Sequence, residues 1–194
     1  MWEKELLGTN LYHIVHWFLI YSFFGWVSES VYMSICNRKI TNRGFMLGPF
    51  CPIYGFGALS VYFILRPLSS NTIVLYIAGA LLATAFEYVV ARLMQCVFGD
   101  VWWDYNDKPF NYKGVLCLES TLAWGLYTIL MFRVLHKVVN NIVGRYSYRR
   151  GTMLGTVVIA IIVIDMTFHI AREKSEFING RIDIIKEKLK AIRS

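Results

Sequence analysis

The sequence predicts an all-α integral membrane protein: about five transmembrane helices containing a tandem two-helix repeat, plus a C-terminal amphipathic helix. Three observations predict it. Of the 194 residues, 56% are hydrophobic and 16% aromatic, above the roughly 45–50% apolar content of soluble domains. Several apolar runs reach the ~20 residues that a helix needs to cross a hydrocarbon core of about 30 Å. Short charged turns separate those runs. The net charge of +7 fits Lys and Arg in loops facing the cytoplasm and anionic lipid, which argues against a nucleic-acid partner.

Residues 1–10 form a short polar start. Its mixed charge lacks the pattern of a cleaved leader, so the first apolar run is expected to stay as a helix. That run spans about 11–36 and is broken only by His13, His16, Ser22 and the Ser28-Glu29-Ser30 cluster. A basic turn follows, with Arg38, Lys39 and Arg43. The second span is expected over about 46–65. Gly48, Pro49, Pro52 and Gly55 mark it as a kinked or broken helix, tolerated where neighbours satisfy the freed backbone. Asn71 or Thr72 is the expected N-cap of the third span, about 73–98, which carries Glu87 and Arg92. Residues 99–113 form an aromatic, acidic loop with Asp104 and Tyr105, suited to the membrane–water interface. The fourth span, about 114–135, carries Glu119 and Gly125.

The domain boundaries follow from these runs. A four-helix membrane core covers 11–135, with repeat units at about 11–66 and 73–135. A basic loop covers 136–151, and a fifth helix covers 152–171 with Asp165 and His169 four residues apart on one face. From residue 172 to 194 the tail is charged. Ile178, Ile182, Ile185, Leu189 and Ile192 form a seam of two heptads, too short for an independent coiled coil. The tail is expected to lie on the bilayer or to dock on a partner, and Asn179-Gly180 is a point where it can restart. Loop charge places the N-terminus outside and the C-terminus in the cytoplasm.

The repeat rests on a shared pattern: a glutamate late in one span, a basic-Gly turn, then an aromatic-Gly step in the next. Glu29 corresponds to Glu87, Arg43-Gly44 to Lys113-Gly114, and Tyr54-Gly55 to Trp124-Gly125. Two spans per unit give both copies the same orientation.

The blocks FFGWVSESVY, NRGFMLGPFCPIYGFGAL, FEY and WWDYNDKPFNYKGVLCLESTLAWGL resemble the ABC-transporter type IV, or CmpB-like, membrane proteins over about residues 12–135. The resemblance implies a permease-type protein of the bacterial plasma membrane and no particular substrate.

An ionisable group inside a span is costly and marks a functional site by default. Glu29, Glu87 and Glu119 are therefore expected to line a substrate, ion or proton pathway, with Arg43, Arg92 and Lys113 as partners. Gly48, Pro49, Pro52, Gly55 and Gly125 are the expected hinge or packing positions. Asp104, Tyr105, Asp165 and His169 are secondary polar sites, read first as turn formation and as a satisfied pair. No catalytic residue, metal site or cofactor is expected, since nucleophile, zinc and nucleotide-loop motifs are lacking. The four cysteines are dispersed, without CxxC spacing. Five spans are few for a translocation path, so a homo-oligomer is expected, with any ATPase on a separate chain. The competing reading is a non-transporting sensor or accessory acting through its C-terminal helix. A lipid-modifying enzyme ranks below both.

Overall fold

The computed structural model describes residues 2–42 and 46–193, the last stretch without side chains for residue 176 and residues 180–193. A small hairpin, β1 (Glu5–Leu6) and β2 (Thr9–Asn10), leads into α1 (Leu11–Asn37). The Asn10 side chain starts α1 by accepting from His13 N at 3.0 Å, which satisfies an otherwise orphaned helix-start amide. Arg38 ends it in the left-handed conformation.

Next come α2 (Pro52–Leu65), a 3-10 turn (Arg66–Leu68) and α3 (Thr72–Phe98). Asn71 caps α3, accepting from Ile73 N and Val74 N. Gly99, at φ +80°, ends it, a conformation that favours glycine. Then α4 (Leu118–Leu130) runs through a π segment (Met131–Leu135) into α5 (His136–Val143). The last helix, α6, covers Tyr148–Arg193.

Among the described residues, three helical stretches are long and apolar enough to cross a membrane: Thr72–Phe98, Leu118–Val143 and Tyr148–Asn179. The first two of the five expected spans fall outside that set, for different physical reasons. The 27-residue α1 has the length, but its histidines, serines and Glu29 dilute its apolar character. The 14-residue α2 is about 21 Å long at ~1.5 Å per residue, short of the bilayer core.

The expected helix start at Met46 is corrected to Pro52. Pro52 occupies the first turn of α2, where a missing N–H costs nothing, and Pro49 lies upstream in irregular backbone. These prolines begin a helix and do not kink one. The basic stretch 136–151, expected as a loop, is helical up to Val143 and again from Tyr148, leaving a short turn between. The fifth helix and the tail are one continuous helix with no restart at Asn179-Gly180. The heptad seam beyond Ile178 lies outside the described side chains.

Two helix pairs form the framework: α1 packs along α2, and α3 along α4. Glycine sets the approach in both. A Cβ added at Gly55 would come 2.4 Å from Ser22 Oγ, and one at Gly125 would come 2.6 Å from the Tyr76 ring. Trp17, Tyr21 and Tyr62 close one end of the bundle around His136. Trp17 Nε1 donates to Asn140 Oδ1 at 2.7 Å, and the Tyr62 ring stacks on His136 at 4.0 Å. Large apolar side chains such as Ile73, Ile77 and Leu81 on α3, and Leu154, Ile161 and Phe168 on α6, remain exposed. Such faces suit contact with lipid.

Candidate functional site

Both α2 and α4 begin alongside the preceding long helix instead of at its end. Cys51, the residue before α2, donates its backbone N–H to Ser22 O at 2.9 Å, in the middle of α1. The first turn of α4 meets Glu87, past the middle of α3. Each glutamate therefore faces the N-terminal turn of the next helix. Unpaired backbone amides and the helix dipole make that end favourable for negative charge.

Glu87 is only 7% exposed, and three neutral groups satisfy it. Trp124 Nε1 donates to Oε2 at 3.1 Å, Ser120 Oγ to Oε2 at 3.4 Å, and the Tyr105 hydroxyl to Oε1 at 3.1 Å. Buried carboxyl groups need such partners to offset lost hydration. Glu29 is half-buried. Its Oε2 lies 3.9 Å from Cys51 Sγ, and it shares a hydrogen bond with Tyr54.

The two shells meet. The Tyr54 and Trp124 rings lie 6.4 Å apart between centroids. Burial and the neighbouring Glu87 carboxyl push the Tyr105 hydroxyl above its usual pKa, and Glu29 adds to the effect from the other side. Tyr105 thus stays a neutral donor through the physiological range. The loop holds it in place: Tyr105 N donates to Gly114 O at 2.8 Å, and Trp103 Nε1 to Val115 O at 2.9 Å. Asp104 builds the turn beside it, accepting from Asn106 N at 2.9 Å and from its side-chain amide at 2.7 Å, as expected of a turn-forming aspartate.

Glu119 does not join this cluster. It points outward from the first turn of α4 and pairs with Lys108 Nζ at 2.8 Å. That contact raises the Lys108 pKa through the hydrogen bond to Glu119. Two of the expected basic partners, Arg92 and Lys113, also lie elsewhere. Arg92 follows Glu87 by five residues, which puts it roughly 140° around the helix, and it donates to Gln95 Oε1 at 2.8 Å. Lys113 sits in a left-handed turn at φ +54°, its Nζ 5.4 Å from the centre of the Tyr112 ring. Arg43 lies outside the described residues.

Asp165 and His169 stand 3.5 Å apart on α6. Asp165 has a further task that spacing alone did not suggest. It accepts from Gly48 N at 2.9 Å and Leu47 N at 3.4 Å, holding the irregular strand of chain that leads into α2.

The glutamate partners missing from the sequence-based set are Tyr54, Ser120, Trp124 and Cys51. The aromatic-Gly steps Tyr54-Gly55 and Trp124-Gly125 were the available clue, since each puts an aromatic donor beside a close helix approach. Among the described residues, no group of three or more His, Cys, Asp and Glu side chains could hold a metal ion. Three neutral donors on one carboxylate and a shared aromatic wall give the cluster hydrogen-bonding chemistry.

The model of the family described as "Putative ABC-transporter type IV" matches residues 16–170. The match runs well into α6, beyond the blocks at 12–135. No curated protein and no solved structure matches the chain.

Proposed function

Since the chain belongs to the ABC-transporter type IV family, we propose that it is the membrane subunit of an ABC-type transporter, its polar site built by Glu29 and Glu87. In this reading α1 and α2 join the three apolar helices as a five-pass bundle of the bacterial plasma membrane. The two helix pairs are tandem copies of one unit, the N-terminus is outside, and two or more copies complete the path. The observation that carries the reading is the convergence of two carboxylates, each at the start of the next helix, on Tyr54, Tyr105 and Trp124. Ionisable groups at such helix starts are a recurrent way to build a transport site.

The test uses the full chain, tagged and purified in mild detergent from its native host. A nucleotide-binding ATPase subunit is expected to co-purify. ATP turnover of the complex in liposomes is expected to fall at least tenfold in the Glu29→Gln/Glu87→Gln variant while the complex persists. Unchanged turnover in that variant, or isolation without an ATPase after cross-linking in membranes, contradicts the reading.

One observation favours a second reading, a non-transporting accessory. The 46-residue α6 is roughly 69 Å long at ~1.5 Å per residue, about twice the bilayer core. Its end therefore stands clear of the membrane, within reach of a partner. Deleting residues 173–194 separates the two readings. The accessory reading expects loss of function with an intact bundle, whereas a permease whose ATPase binds elsewhere keeps its turnover.

A further inference from the structure

At the end of the bundle opposite the carboxylates, the chain forms an open cleft of about 390 Å³ lined by Leu7, Phe63, Arg66 and Pro67. Three of these four residues are apolar, and the fourth is a cation. The span beginning at Thr72 puts the linker from Arg66 at one face of the bilayer. One wall is the turn of the N-terminal hairpin. Gly8 sits there at φ +77°, and a Cβ added to it would be 3.5 Å from Arg66 Nη1, so the guanidinium lies against the turn. The side chains around it expose apolar surface, with Leu7 63% exposed and Leu68 37%.

The pairs of acidic and basic side chains described are Lys108–Glu119 and the close contact of His169 with Asp165. Arg66 therefore has no carboxylate among the described residues. A second cation flanks the same linker: Arg133 donates to Thr72 Oγ1 at 2.8 Å. A planar guanidinium set in apolar walls at a membrane surface matches a phosphate that carries acyl chains. A soluble anion would leave the apolar walls unused.

We propose that this cleft binds an anionic phospholipid of the phosphatidylglycerol class, with its phosphate on Arg66 and an acyl chain against Leu7 and Phe63. The site is separate from the carboxylate cluster, and the inference does not depend on transport.

The test is native mass spectrometry of the full chain in mild detergent, titrated with phosphatidylglycerol, phosphatidylcholine or inorganic phosphate. Phosphatidylglycerol is expected to bind most tightly. Arg66→Gln is expected to weaken it about fivefold, the size of one basic contact at a membrane surface. Leu7→Glu, a change at an exposed position, is expected to weaken it at least as much. Lys39→Gln, at the far end of α1, is expected to leave it unchanged. Equal binding of phosphatidylcholine, or wild-type affinity in both the Arg66 and Leu7 variants, overturns the proposal. So does competition by inorganic phosphate at low millimolar concentration, which would mark a free-anion site. If Arg66→Gln does not fold, the Leu7 variant decides.

Discussion

The two helix pairs solve one problem with different resources. In both, a glutamate on a long helix meets the first turn of a later helix, and an aromatic-Gly step lets the backbones close. The pair α3–α4 surrounds Glu87 with three donors, one of them supplied by the ordered loop 99–117. The pair α1–α2 leaves Glu29 half-buried, and its entry strand is pinned from outside by Asp165 of α6. One pair is self-sufficient, and the other depends on its neighbours. Tyr105 bonds one carboxylate and senses the other. The asymmetry teaches that the long loop is part of the site.

The largest expected effect breaks the self-sufficient pair. Glu87→Ala strands the Trp124 and Tyr105 donors, while the Ser120 hydroxyl keeps Cys117 O at 2.9 Å, and should cost about 2 kcal/mol or more, at 1–3 kcal/mol per buried unsatisfied group. Glu29→Ala should cost less, because that carboxyl is only half-buried. Thermal unfolding in detergent compares the two, and an equal or reversed order would remove the distinction between the pairs.

Next comes the backbone approach. Gly125→Val and Gly55→Val both overpack a contact that would already be 2.6 Å or less for a Cβ. Each should destabilise by about 1–3 kcal/mol, read as a fall in apparent Tm. Asp165→Ala should act on one pair only. Losing the acceptor for Gly48 and Leu47 should cost about 1–2 kcal/mol and speed proteolysis near residues 46–51, while the loop 99–117 stays protected. The smallest effect belongs to Glu119→Gln. Its pair with Lys108 is solvent-exposed, and such pairs contribute little, so unfolding should not change measurably.

Much of this was legible in the sequence. Apolar run length marked α3, α4 and the apolar part of α6, because spans are set by bilayer thickness. Asn71 was readable as a cap because its side chain does a local job. Glu29 and Glu87 stood out because charge inside apolar sequence is expensive. What was not legible depends on how segments meet. Arg92 and Lys113 looked like partners by charge, but helical phase and a left-handed turn send them elsewhere. Glu119 looked like a third pathway residue, yet its place in the first turn of α4 points it outward. Pro49 and Pro52 were read as kinks, whereas a proline at the first helical position starts a helix. The acceptor role of Asp165 requires a contact across more than a hundred residues, which no local pattern encodes.

The central claim is that Glu29 and Glu87 belong to one cluster. A double-mutant cycle on unfolding free energy, with Glu29→Ala, Glu87→Ala and the double variant, tests it most directly. The account predicts a coupling energy of about 0.5 kcal/mol or more, typical of groups that share partners. Additivity within roughly 0.3 kcal/mol, the behaviour of independent sites, would contradict it.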